Sequence, residues 1–275
     1  MRTAIQYDIR ELTLGGILDQ AITLMKNHFG SFVAIMAITW LPVQLANVIA
    51  TETLLADLAT LEDPDAIMRA SAEYASLFIG LYVLNLLVAL ISNAAIVYAI
   101  ANAYLGKRIT VGGSIGKAFG LFFPLLWTLI LVGVAIMGGF ILLIVPGILA
   151  AFWFSLATQV VVVEGVSGFK ALGRSRQIMR GNIGTLFVMG LVLGLIGFAI
   201  LGGSSFISER YVQAILNVTL NMVLVIFSSA AGVVFYFSAR CKNEQFDLQL
   251  LASNVGSELA ADEAEASDEL FTPEG

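Results

Sequence analysis

Chemistry is scarce in this sequence. One histidine and one cysteine in 275 residues rule out most metal-ligand sets, a disulfide framework and most acid–base pairs. Gly112-Gly113-Ser114-Ile115-Gly116 fits the G-x-S-x-G elbow, where a serine hydroxyl is activated by His and steadied by Asp or Glu at a strand-to-helix turn. Here the segment lies between apolar helices, so the match carries no catalytic reading. Gly165-Val166-Ser167-Gly168 fits the G-x-S-G of rhomboid-like intramembrane proteases. Ser167 follows its helix instead of lying within it, however, and no histidine occurs after His28. Around Lys117 the glycine spacing is one short of a phosphate loop, and Ala118 offers no hydroxyl for a magnesium ion. His28 reads as an interfacial residue and Cys241 as incidental. The expectation is a non-enzymatic chain with no metal and no cofactor.

Two sets of polar residues remain. Gln44, Asn47, Asn85, Asn93, Asn102, Gln159, Asn217 and Asn221 are neutral amides within apolar stretches. Such groups bond neighbouring helices at roughly 0.6–2 kcal/mol each, or they line a polar path. Lys170, Arg174, Arg176 and Arg180 share the polar side of an amphipathic segment. Near an anionic leaflet each would contribute about 1 kcal/mol of attraction; the plainer alternative is that they only enforce topology.

The elements that position these residues follow from composition. Apolar residues make up 59% of the chain and charged ones 12%, against roughly 45–50% and about 25% in soluble domains. Lys, Arg, Asp and Glu are absent from 27–51, 74–106, 118–163, 181–208 and 211–239. About 20 apolar residues cross a bilayer as a helix, so four gaps hold one span each. The gap 118–163 holds two, at 119–143 and 147–163, divided by the turn signal Pro146-Gly147. Six transmembrane helices are expected, the first at 29–50, with kinks at Pro42 and Pro124.

With both termini in the cytoplasm, only Arg69 and Arg210 among 14 Lys and Arg lie outside, as the positive-inside rule requires. Loop 51–74 is acidic and suits the outer side. Residues 1–28 lack the apolar core of a cleavable signal and read as a cytoplasmic segment ending in an amphipathic interfacial helix. Residues 29–242 form the membrane domain. Residues 243–275, with nine acidic and no basic side chains, read as a disordered cytoplasmic tail.

Internal similarity points to three parallel units, each an interfacial segment followed by a helical hairpin. Leu24–Phe32 aligns with Ile178–Leu186, and Thr110–Phe119 echoes Thr13–Ile22. Gly190/Gly194 and Ser228/Gly232 have the small-xxx-small spacing that lets helices approach, within a bundle or in a dimer.

Residues 146–187 carry Pro146-Gly147, Val163-Glu164-Gly165, Ala171-Leu172, Arg174-Ser175 and Arg180-Gly181 in order. Together with Phe29-Gly30 and Leu41-Pro42, this pattern resembles the YciC-type bacterial inner-membrane proteins and the membrane domain of some glycerophosphodiester phosphodiesterases. The resemblance covers about residues 1–240 and implies a six-helix bundle in a bacterial inner membrane, with no catalytic residue carried over. The function expected is a scaffold, regulator or accessory factor in an envelope or lipid process; the alternative is a small permease for a neutral or lipid-like solute. Membrane lipids, a membrane-protein partner or a second copy are the expected partners, and nucleic acid is not.

Overall fold

A computed structural model describes residues 7, 9–61, 63–204 and 209–248. They form α1 (Leu14–Thr39), α2 (Leu41–Ala59), α3 (Pro64–Tyr104), α4 (Val111–Gly120), α5 (Phe122–Leu142), α6 (Ile144–Trp153), α7 (Ala157–Gln159), a π-turn (Val160–Glu164), α8 (Phe169–Met179), α9 (Ile183–Ser204) and α10 (Arg210–Glu244). No strand occurs among the described residues. Six stretches are long and apolar enough to cross a membrane: Leu14–Thr39, Asp65–Tyr104, Phe122–Leu142, Ile144–Glu164, Ile183–Ser204 and Tyr211–Glu244. The fold is an all-α polytopic bundle.

The first span differs most from expectation. Thr13 caps α1 by accepting from the Gly16 amide at 3.4 Å, and α1 bends at His28 (φ −123°, ψ 18°) without stopping. The interfacial segment and the start of the first span are therefore one bent helix. Proline lacks an N–H and clashes with the preceding turn, so α1 ends before Pro42, which sits in the first turn of α2. Far from becoming a loop at 51, the chain stays helical to Ala59. Asp63 and Pro64 then start α3, the Asp63 carboxylate accepting from the Asp65 amide at 3.1 Å. Tyr74 donates to Asp57 across this hairpin.

Pro124 and Pro146 also open helices, lying in the first turns of α5 and α6, where a missing donor costs nothing. The reversal between those helices is at Leu143, in extended conformation, and not at Pro146-Gly147. A Cβ on Gly139 would lie 2.8 Å from the Gly147 Cα, so the α5–α6 hairpin closes at a distance only glycine allows. Gly190 and Gly194 would meet nothing within 4 Å and face away from the bundle, whereas Gly232 abuts Gln159.

The N-terminal half of α1, α4 and α8 each lead into a helical hairpin, which is the order the three units require. Packing is unequal along the bundle. Ile17, Leu24, Phe32, Ile96, Ile100, Tyr104, Val160, Ile178, Ile226 and Tyr236 belong to one core, at the end where the basic residues gather. Towards the acidic end α2 buries only Ala50, and the first buried side chain on α3 among those described is Leu90. With 41 residues, α3 is about 61 Å long, against about 31 Å for the 21-residue α5.

Candidate functional site at the basic end

Between Glu73 and Glu209 the chain has one acidic residue, Glu164. It closes the π-turn and is followed by Gly165 at φ +71°, a left-handed conformation that favours glycine. Arg174, on α8, donates from Nε to Glu164 Oε2 at 2.8 Å and Oε1 at 3.1 Å. Its Nη2 donates to Glu244 Oε2 at 2.7 Å, and Nη1 bonds the other oxygen of Glu244. From α10, the Tyr236 hydroxyl donates to Glu164 Oε1 at 2.6 Å, and Arg240 Nε to Glu244 Oε2 at 3.2 Å.

Two positive and two negative charges cancel in a setting where the four side chains are 14–22% exposed. The bidentate geometry is the strong form of a charge-assisted bond. Hydrogen bonding to Glu244, opposed by burial and reinforced by Glu164, pushes the Arg174 guanidinium above even its usual range; it stays charged. Each carboxylate accepts from both a guanidinium and a second donor. The groups satisfy one another, so this is a clamp joining the π-turn, α8 and α10, not a poised acid–base pair.

The surroundings strengthen the clamp. Ser175 donates to the Trp153 carbonyl at 2.8 Å, and Asn243 Nδ2 to the Ile178 carbonyl at 2.9 Å, capping α8 from α10. The Leu12 amide donates to Ser238 Oγ at 2.9 Å, and Lys242 pairs with Glu11 at 3.0 Å. Tyr7, Tyr104, Phe237 and Phe246 stack in sequence at 5.4–5.7 Å. Asn243 and Glu244 thus belong to the folded bundle and not to a separate tail; residues 249–275 lie outside the described residues.

The four expected cations do not form one surface. Arg174 turns inward, whereas Lys170, Arg176 and Arg180 are exposed; the Arg176 guanidinium also lies 4.2 Å from the Trp153 ring centroid. A different surface pattern emerges. Lys26, Lys117 and Lys170 are exposed, and close to each in sequence is an outward-facing phenylalanine: Phe29 at 44%, Phe119 at 61% and Phe169 at 73% exposure. Each of the three leading helices contributes one such pair.

The amides are held in different ways. Gln44 Nε2 donates to Asn85 Oδ1 at 2.9 Å, joining α2 to α3. Asn47, Asn102 and Asn221 bond carbonyls of their own helices at 2.8, 3.0 and 2.9 Å. The oxygens of Gln159 and Asn217 are buried without a partner, and Asn93 is exposed. Gln44 and Asn47, with Thr51, Glu52 and Ala214, line an open cleft of about 210 Å³ between α2 and α10. It lies towards the acidic end, beyond the packed core. Among the described residues no cluster of His, Cys, Asp and Glu is placed to hold a metal ion.

Sequence reasoning missed Glu164 and Glu244 as the partners of Arg174, and Tyr236 and Arg240 as the further donors to those carboxylates. The available signal was the isolation of Glu164 in a long basic and apolar stretch. Compared with family models, curated proteins and solved structures, the chain has no match.

Proposed function

We propose that this chain is a non-enzymatic scaffold or accessory protein of a cell membrane, with cytoplasmic termini, that grips anionic lipid headgroups around its basic end. The observation carrying this reading is the exposed lysine and phenylalanine repeated on α1, α4 and α8. An interfacial helix binds by inserting apolar side chains at the acyl boundary while its cations meet headgroups. The clamp supports the same reading, because it fixes α8 against the bundle and leaves Lys170, Arg176 and Arg180 turned outward.

Brominated lipids in proteoliposomes test this through quenching of tryptophan fluorescence, Trp153 lying beside Arg176. Brominated anionic lipid should quench more than brominated zwitterionic lipid. Replacing Lys26, Lys117, Lys170, Arg176 and Arg180 by Gln should remove about a fivefold preference per charge. Equal quenching by both lipids in the native protein defeats the reading.

Transport of a neutral or lipid-like solute has one observation in its favour, the amide-lined cleft between α2 and α10. Asn47→Leu, in the lining of that cleft, separates the roles: a path loses flux in a stable protein, whereas a helix contact loses stability.

A further inference from the structure

Asn93 is an exposed amide within a span whose placement the fold leaves unexplained. It lies eleven residues before the end of α3 at Tyr104, about 16 Å along the helix and so near the middle of a hydrocarbon layer about 30 Å thick. It is exposed, and among the described residues no hydrogen bond joins its side chain to the chain. A carboxamide facing hydrocarbon without a partner costs several kcal/mol. Its neighbours on the same side of α3 follow a regular spacing. Ala75, Ile79, Tyr82, Leu86, Ala89 and Asn93 are separated alternately by four and three residues, and all six are exposed, Ile79 at 66% and Tyr82 at 65%.

That alternation is the heptad seam of paired helices, in which a lone Asn fixes register. The alanines permit close approach, the usual means of helix association in lipid. From Ala75 to Asn93 the seam runs about 27 Å, from the middle of the hydrocarbon out past its far face. We propose that a second copy of this chain covers it, the two α3 helices pairing in parallel about a two-fold axis along the membrane normal. Copies inserted with the same topology admit only that axis orientation, and an isologous contact places each central residue opposite its twin. Asn93 then meets Asn93, and because a carboxamide is both donor and acceptor, each satisfies the other. Hydrogen-bond complementarity thus selects a second copy over an apolar partner helix.

The test uses the full chain in lipid vesicles, with Cys241→Ser as background. Single substitutions Ile79→Cys, Leu86→Cys and Ala89→Cys should form disulfide-linked dimers on oxidation; Val83→Cys, Leu84→Cys and Leu87→Cys should do so weakly. Asn93→Leu should weaken energy transfer between differently labelled copies about 3- to 30-fold in affinity, and Asn93→Gln should retain part of it. Because Asn93 is exposed, Asn93→Leu keeps the bundle folded, checked by its helical circular dichroism and unfolding midpoint. Cross-linking equal at all six α3 positions, cross-linking through Gly190→Cys and Gly194→Cys instead, or an Asn93→Leu dimer of native affinity each overturns the proposal.

Discussion

Removing the Arg174 guanidinium leaves Glu164 and Glu244 facing one another in a partly buried site, with Arg240 alone to offset two negative charges. Breaking a buried pair costs about 3–5 kcal/mol; at 22% exposure of Arg174 the lower part of that range applies. Arg174→Gln should therefore lower the unfolding midpoint clearly in detergent, while Lys170→Gln, an exposed change, should stay within about 0.5 kcal/mol. Equal effects would mean that the clamp is not what holds α8. Glycine behaves as differently from site to site. Gly139→Ala drives a Cβ to 2.8 Å from the Gly147 Cα and should cost about 1–3 kcal/mol by overpacking. Gly190→Ala fills open space and should be neutral or stabilising by up to about 1 kcal/mol. Unfolding midpoints measured side by side distinguish the two.

Among the elements, the spans were legible because hydrocarbon tolerates almost no charge, so gaps between charged residues mark helices directly. Their ends were less legible. Proline at 42, 124 and 146 reads from sequence as a kink or turn, yet each opens a helix, and the choice depends on where the previous helix has room to stop. The segment 51–59 is acidic, which argues for water but not against a helix; α2 continues through it because it remains paired with α3. The clamp was hidden for a different reason. Arg174 and Glu244 are 70 residues apart, and sequence places the first on a basic face and the second in an acidic tail. Ser238→Ala, which strips the partner from the Leu12 amide, should cost about 1 kcal/mol and loosen the N-terminal segment first. Faster amide exchange confined to residues 9–14 is the expected signature, and uniform acceleration over α1 would contradict it.

The whole molecule is tight at one end and open at the other. Opening free energy follows local packing, so amides of α2 and the first half of α3 should exchange faster than those at 94–104 and 226–239, where buried side chains crowd together. Hydrogen exchange in nanodiscs reads this directly; uniform protection would count against a core placed at the basic end. One further consequence lies in the length of α3. Tilting rarely exceeds about 40°, and even then about 47 Å of helix stands along the membrane normal, well over the hydrocarbon depth. The tip of the α2–α3 hairpin is therefore a handle in water, held out from the end of the bundle away from its packed core. A short epitope inserted after Thr60 should be reached by antibody on intact spheroplasts if the termini are cytoplasmic, and only after lysis if they are not, reporting orientation at a site far from the core.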